Sequence, residues 1–287
     1  MYSVKSRTGW WVAGLAVLFG GLFPGGVQGG PVYITPVHAA VVRSQGTAFL
    51  NMTIWDDLNY GWQNYGATPV NIDYSSLAIS EITPQALEAS GADVLILSLA
   101  KDYRDAEAAA IIDYVEAGHG LIVTYATFRA LDSRTTRNSD LAPLVGMSEA
   151  ISPGTNTWPV PIVFDLLVPH HPVFDNISNP YGTGVSAMAS PFPGTDWDLT
   201  TGSMLARATP SIPSFTGNGP IIANETQSYR SVYFSHYIEN KWDGSNAQDA
   251  QLFYNALTWT GAVPEPGTLM MLGLGFGGLW VTRRART

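Results

Sequence analysis

The chain has 287 residues, a net charge of −9, 46% apolar and only 13% charged residues, and no cysteine. Such a composition excludes a disordered stalk, and the missing thiols exclude disulfides, thiolate metal sites and cysteine nucleophiles. The acidic balance offers no basic face to a phosphate backbone, so nucleic acid is not expected as a partner.

In chain order, Lys5 and Arg7 precede an apolar run from Trp10 to Phe23 that breaks at Pro24-Gly25-Gly26, which reads as a secretory signal helix. Two cut sites compete. Val37-His38-Ala39 has small residues in the right places and would leave Ala40 as the new terminus, and the other site lies near Gly29. The expected division is therefore a signal at 1–39, one globular domain at 40–262, and a tail at 263–287.

Within the domain, Thr47–Thr53 is expected to be a first strand. Trp55, Leu58, Trp62 and Tyr65 recur at three- and four-residue spacing, as on one face of a helix ending at Gly66. Val70, Ile72 and Tyr74 alternate as in a half-buried strand. Val94–Leu99 and Leu121–Tyr125 are continuous apolar runs, and between them Ala108, Ile111, Ile112 and Val115 mark an amphipathic helix capped by Asp102 and closed by Gly118. Strand, helix and strand in this order form a parallel βαβ unit covered on both faces.

A charged loop from Arg129 to Arg137 follows, and a short helix starts at Asn138 or Asp140. Strands are expected at Ile162–Val168, Met204–Ala208, Ile221–Asn224 and Ser231–Ser235, and a last helix carries Ala250, Phe253, Leu257 and Trp259 to Gly261. The fold class is α/β.

Ala92–Leu97, Asp105–Val123, Arg230–Phe234 and Leu252–Trp259 together resemble the class I glutamine amidotransferase-like superfamily. That resemblance implies a flavodoxin-like domain with a mostly parallel central sheet and helices on both faces. Active members place a cysteine on a tight turn after a central strand and a His-x-Glu pair near the last strand. Here the turn is Thr124-Tyr125-Ala126-Thr127, without cysteine, so glutaminase chemistry is excluded and the chain resembles a degenerate branch. His236 and Glu239 follow the last strand with one residue too many between them.

The weak catalytic candidates are thus Asp56, Asp57, His236 and Glu239. Asp56 and Asp57 suit either sugar hydroxyls or a cation at the sheet's carboxyl edge, or simply the first turn of a helix, where they complement its dipole. His236 is read either as a remnant of the family pair or as a partly buried histidine. Asp102, Tyr103 and the Arg129–Asp140 loop line a pocket or form a solvated charge network. Trp55, Trp62, Trp158, Trp197 and Trp242 are candidates for stacking on sugar rings or for burial. Adjacent His170 and His171 point to opposite sides of an extended chain, so no metal and no cofactor are expected.

The tail reads Val263-Pro264-Glu265-Pro266-Gly267, then an apolar run Leu269–Val281, then Arg283-Arg284-Ala285-Arg286. An uncharged stretch backed by arginines is a membrane stop, and this one is shorter than the roughly 20 residues of a comfortable transmembrane helix. It resembles the PEP-CTERM sorting signal. That resemblance implies recognition through Pro264, Glu265 and Pro266 by the membrane protease exosortase, with Arg283, Arg284 and Arg286 as the cytoplasmic backstop. The expected partners are exosortase, the secretion machinery and polysaccharide, and the expected course is export, transient inner-membrane anchoring, and release to the surface or extracellular matrix of a Gram-negative-type bacterium. The reading is a binding or structural protein, with a carbohydrate-directed hydrolase as the alternative.

Overall fold

A computed structural model describes residues 35–42, 53–77, 82–98, 103–128, 138–148, 154–157, 162–185, 187–190, 198–209, 219–238 and 246–262. The first strand, β1 (Val37–Val42), enters the sheet between β2 (Val70–Leu77) and β3 (Val94–Leu97), parallel to both. The expected boundary after Ala39 falls in the middle of this strand. The expected first strand at 47–53 is not where the sheet begins: Thr53 opens helix α1 (Thr53–Gly61), and residues 47–52 lie outside the described residues.

From β3 the sheet grows outward through β4 (Gly120–Thr124) and β11 (Arg230–Phe234), still parallel. It then turns antiparallel through β10 (Pro220–Glu225), β9 (Ser203–Thr209), β6 (Val163–Leu166) and β7 (Tyr181–Gly182). The full order is β2-β1-β3-β4-β11-β10-β9-β6-β7, with β5 (Gly154–Thr157) and β8 (Ala187–Ser190) as a separate pair. The sheet is therefore mixed, parallel in one half and antiparallel in the other, where the sequence led us to expect it mostly parallel.

Alternation within the parallel strands divides the core. Val94 and Ile96 of β3 face one cluster, and Leu95 and Leu97 face the other. The first cluster is covered by α1, through Ile54, Trp55 and Leu58, and by the last helix α4 (Ala247–Gly261), through Leu252, Phe253 and Leu257. The second is covered by α2 (Pro84–Ser90), α3 (Asp105–Glu116) and the 3-10 turn Ser139–Val145, through Leu87, Ile111, Val115, Leu141 and Leu144. Burying each such side chain contributes about 1.5–3 kcal/mol, which is the source of stability left to a chain without disulfides.

Local signals explain where the helices begin. Thr83 Oγ1 accepts from Ala86 N at 3.1 Å and Pro84 fills the first turn, so α2 starts there. In α3 the Glu107 carboxylate accepts from Arg104 N at 2.9 Å, which makes Arg104 rather than Asp102 the capping position. Asn246 accepts from Gln248 N and Asp249 N, and Asp249 returns the bond to Asn246 N, closing a capping box at the start of α4. No helix among the described residues is long and apolar enough to cross a membrane. The expected signal helix and the apolar run Leu269–Val281 lie outside them.

Candidate functional site

β1 leads through α1 to β2 on one side, while β3 leads through α3 to β4 on the other, and the two helices cover opposite faces. The strand order therefore reverses between β1 and β3, and open α/β sheets bind ligands at the carboxyl edge of such a point. Segments 43–52 and 99–102, which follow these strands, lie outside the described residues, as do 129–137, Glu239 and Asp102.

Immediately after β4, Tyr125 adopts φ 44, a left-handed backbone that bulky side chains rarely take. Its carbonyl accepts from the Tyr233 hydroxyl at 3.1 Å, and its ring stacks on Tyr237 at 5.3 Å with 14° between planes. The turn Thr124-Tyr125-Ala126-Thr127 thus carries a phenol at its second position, where the backbone is left-handed. Thr127 Oγ1 donates to Leu97 O and Thr124 O, tying the turn to β3.

His236 is fully buried. Its ring lies among Phe164 (4.8 Å), Phe234 (5.7 Å) and Tyr181 (6.1 Å), and neither ring nitrogen has a hydrogen-bond partner among the described residues. Burial pushes its pKa down to about 3, so the imidazole is neutral at physiological pH. Val232, Phe234 and His236 share one face of the strand and its extension, which carries the histidine into the core.

The next carboxylate in this region is Asp249, which no sequence pattern had singled out. It accepts from the Tyr181 hydroxyl, from Gly184 N at 2.9 Å and from Asn246 N. Burial raises its pKa, and these hydrogen bonds oppose the shift. It is committed to holding the start of α4.

Asp56 and Asp57 are exposed on the first two turns of α1, and no hydrogen bond or ion pair joins either to His236. Trp55 is fully buried, edge-on to Phe253 at 5.3 Å. Trp62 is partly buried against the same cluster, and Trp158, Trp197 and Trp242 lie outside the described residues. His170 is exposed, whereas His171 caps the 3-10 turn Pro172–Phe174 through Nδ1 and meets the Trp259 ring edge-on at 4.8 Å. Among the described residues no group of three His, Asp or Glu side chains is placed to hold a metal.

An open groove of about 300 Å³ lies on the α4 face, lined among others by Tyr65, Thr68, Asp175, Asn176, Tyr254 and Trp259. It sits toward the amino edge of the parallel strands, because α4 ends there with Gly261 against Val37 and Val94. Both walls are tied to α4. The Tyr254 hydroxyl accepts from Thr68 N (2.9 Å) and donates to Thr68 O (3.0 Å), Gln251 Nε2 donates to Tyr65 O (2.9 Å), and Asn255 Nδ2 donates to Val173 O (3.1 Å) and Asp175 O (2.7 Å). A Cβ on Gly66 would stand 2.5 Å from the Tyr254 ring, so only glycine allows this approach.

α4 passes directly into the tail. Residues 262–286 match the PEP-CTERM protein-sorting motif. The PEP-CTERM segment thus begins at the last described residue of the domain, and it implies an exported, exosortase-sorted protein with a cell-surface destination in Gram-negative bacteria. No curated protein sequence matches the chain.

The fold is similar to a putative ThuA-like protein from Bacteroides uniformis, with a TM-score of 0.58 and 18% identity over 82% of this chain and 95% of the other. It is also similar to a cytoplasmic protein from Salmonella typhimurium LT2, with a TM-score of 0.54 and 12% identity over 79% of this chain and 99% of the other. A second putative ThuA-like protein, from Parabacteroides merdae, gives 0.50 and 12% identity over 79% and 90%. At these identities the likeness concerns the fold alone. ThuA-like proteins are amidotransferase-like, in keeping with the resemblance read from the sequence.

Proposed function

We propose that this chain is an exported surface or extracellular-matrix protein whose α/β domain binds rather than catalyses, and that exosortase releases it near Pro264-Glu265-Pro266. The observation that carries the reading is the join between domain and tail. Only Val263 separates Ala262, the last described residue after α4, from the triplet. The sorting motif thus starts where α4 stops, and in this proposal the tail serves delivery.

A non-catalytic domain is favoured by the state of the sequence candidates. The chain has no thiol, His236 is enclosed among aromatic rings with its basicity suppressed, and Asp56 and Asp57 stand in solvent away from it. Polysaccharide is the proposed ligand class. Transient anchoring through Leu269–Val281, with Arg283, Arg284 and Arg286 on the cytoplasmic side, is proposed for the interval before release.

At the other end we propose a signal cut upstream of Thr35, near Gly29. Cutting after Ala39 would place a charged α-ammonium on Ala40, which is 2% exposed between β2 and β3, and would remove half of β1. Intact mass of the protein recovered from an exosortase-bearing host and from the same host lacking exosortase tests both ends. Release with a terminus near the triplet only in the first host is expected. A chain that keeps its tail in both hosts would overturn the sorting proposal.

A further inference from the structure

The geometry points to the groove between Tyr65 and Asp175 as a binding site for one neutral hexopyranose unit of a glycan, an inference that rests on the binding reading above and gives it a place. Its size is the first argument. About 300 Å³ is the lower end of the range for small-molecule pockets, enough for one ring and its substituents.

The lining is the second. Tyr65 presents a partly exposed ring, tilted 35° to Tyr254 at 6.2 Å, and a phenyl face complements the C–H face of a pyranose. On the opposite wall Asp175 and Asn176 are exposed, and neither side chain makes a hydrogen bond to another described residue. A carboxylate beside a carboxamide supplies acceptors next to a donor, the set that adjacent hydroxyls require.

Charge is the third. Among the described residues no lysine or arginine lines the groove, and its one charged side chain is the Asp175 carboxylate. A uronate, phosphate or sulfate would meet the Asp175 carboxylate, while Arg230, 5.3 Å from the Trp259 ring, already engages Glu225 and the Trp259 and Ala262 carbonyls, so the site favours uncharged sugars.

The fourth is preorganisation. Three side chains of a single helix, at positions 251, 254 and 255, hold the backbone of both walls, and Gly66 exists in a form that lets Tyr254 through. Walls fixed before the ligand arrives spare it the ordering cost that a loose surface would impose.

The test uses the full chain in a detergent without a sugar headgroup, passed over immobilised dextran, galactomannan and alginate. Retention on at least one neutral polysaccharide and none on alginate is expected, with Tyr65→Ala and Asp175→Ala each weakening retention about ten-fold. Asp175 is exposed, so Asp175→Ala should keep the unfolding midpoint of the unsubstituted chain, whereas Tyr65 packs partly against the core, so Tyr65→Ala is compared well below its own measured midpoint, which separates lost binding from lost folding. Neutral-glycan binding untouched by both substitutions would overturn the groove while leaving a binding domain. Failure to bind any of the three, or preference for alginate, would overturn the neutral-sugar assignment, and the mass measurement above would still report separately on sorting.

Discussion

The guanidinium of Arg230 lies 5.3 Å from the centre of the Trp259 ring and donates through Nη1 to the Trp259 carbonyl at 3.4 Å and the Ala262 carbonyl at 3.3 Å. A strand residue thus closes the last turn of the final helix, at carbonyls that have no partner within the helix. Glu225 holds the same guanidinium from the other side, at 2.6 Å. Replacing Arg230 with alanine removes a cap and a cation–π contact and is expected to cost about 1–2 kcal/mol. Arg230→Lys should recover only part of it, because an ammonium cannot fork between two carbonyls and a carboxylate. Urea unfolding of the three proteins measures both, and equal midpoints for all three would show that the cap contributes nothing.

His236→Phe tests the enclosed imidazole. The folded protein holds this ring neutral down to about pH 3, whereas in the unfolded chain it takes up a proton near its ordinary 6.5. Between those values the unfolded state binds more protons, so this contribution to stability is fully present above about pH 6.5 and is lost as pH falls toward 3, by on the order of a few kcal/mol. Tyr181 and Asp249 are the other titratable groups packed nearby. Asp249, whose pKa burial raises, acts with the opposite sign: its contribution is lost as pH rises above 3.8 toward its folded value. Phenylalanine fills the same aromatic surroundings without two unpartnered nitrogens, so the variant should be more stable at pH 7 and lack the acid slope. Thermal unfolding from pH 4 to 8 measures the difference, and parallel curves would refute the buried-neutral assignment.

Asn255→Ala probes the tie between α4 and the segment after β6. The carboxamide is 6% exposed and satisfies the carbonyls of Val173 and Asp175. Its removal leaves both without that donor and is expected to cost about 2–3 kcal/mol. Limited proteolysis should then show new cleavage around residues 172–176 ahead of global unfolding.

Signal processing gives a prediction with an unambiguous readout. The secreted protein should begin upstream of Thr35, as read by N-terminal sequencing. A mature chain beginning at Ala40 would mean that the pairings of Val37 with Val70 and of Ala39 with Val94 are dispensable.

How much of this was legible depended on whether a signal was local. β3, α3 and β4 were readable because an apolar run, a helical period and a second apolar run need no distant information. β1 was hidden by its composition: Val-His-Ala-Ala-Val-Val reads as a small-residue cleavage site as readily as a strand. α2 was missed because seven residues hold too few turns for a period, though Thr83-Pro84 and Gly91 marked its two ends.

Strand direction was the larger error. Apolar alternation in β9 and β10 says nothing about orientation, which is set by connections. The four residues between Glu225 and Arg230, which pair across β10 and β11, were the available sign of an antiparallel hairpin. At the site, the alternation of His236 with Val232 and Phe234 favours the buried reading of this histidine, and the structure encloses the ring completely. The groove was not legible, because its walls come from residues 65–68, 172–176 and 254–259, which only the packing of α4 brings together.

The position of β1 bears on how such a chain is assembled after crossing a membrane. The strand that emerges first needs both β2 and β3 as neighbours, and β4 acquires its second neighbour only when β11 arrives more than a hundred residues later. Because the widest pairings form last, the translocated polypeptide spends most of its passage without a closed sheet, the condition in which unpaired strands aggregate. α4, the element that seals one face, is also the one synthesised just ahead of the hydrophobic tail. On the anchoring proposed above, a tail held in the bilayer would keep each newly arrived molecule apart from its siblings until its own last helix has docked.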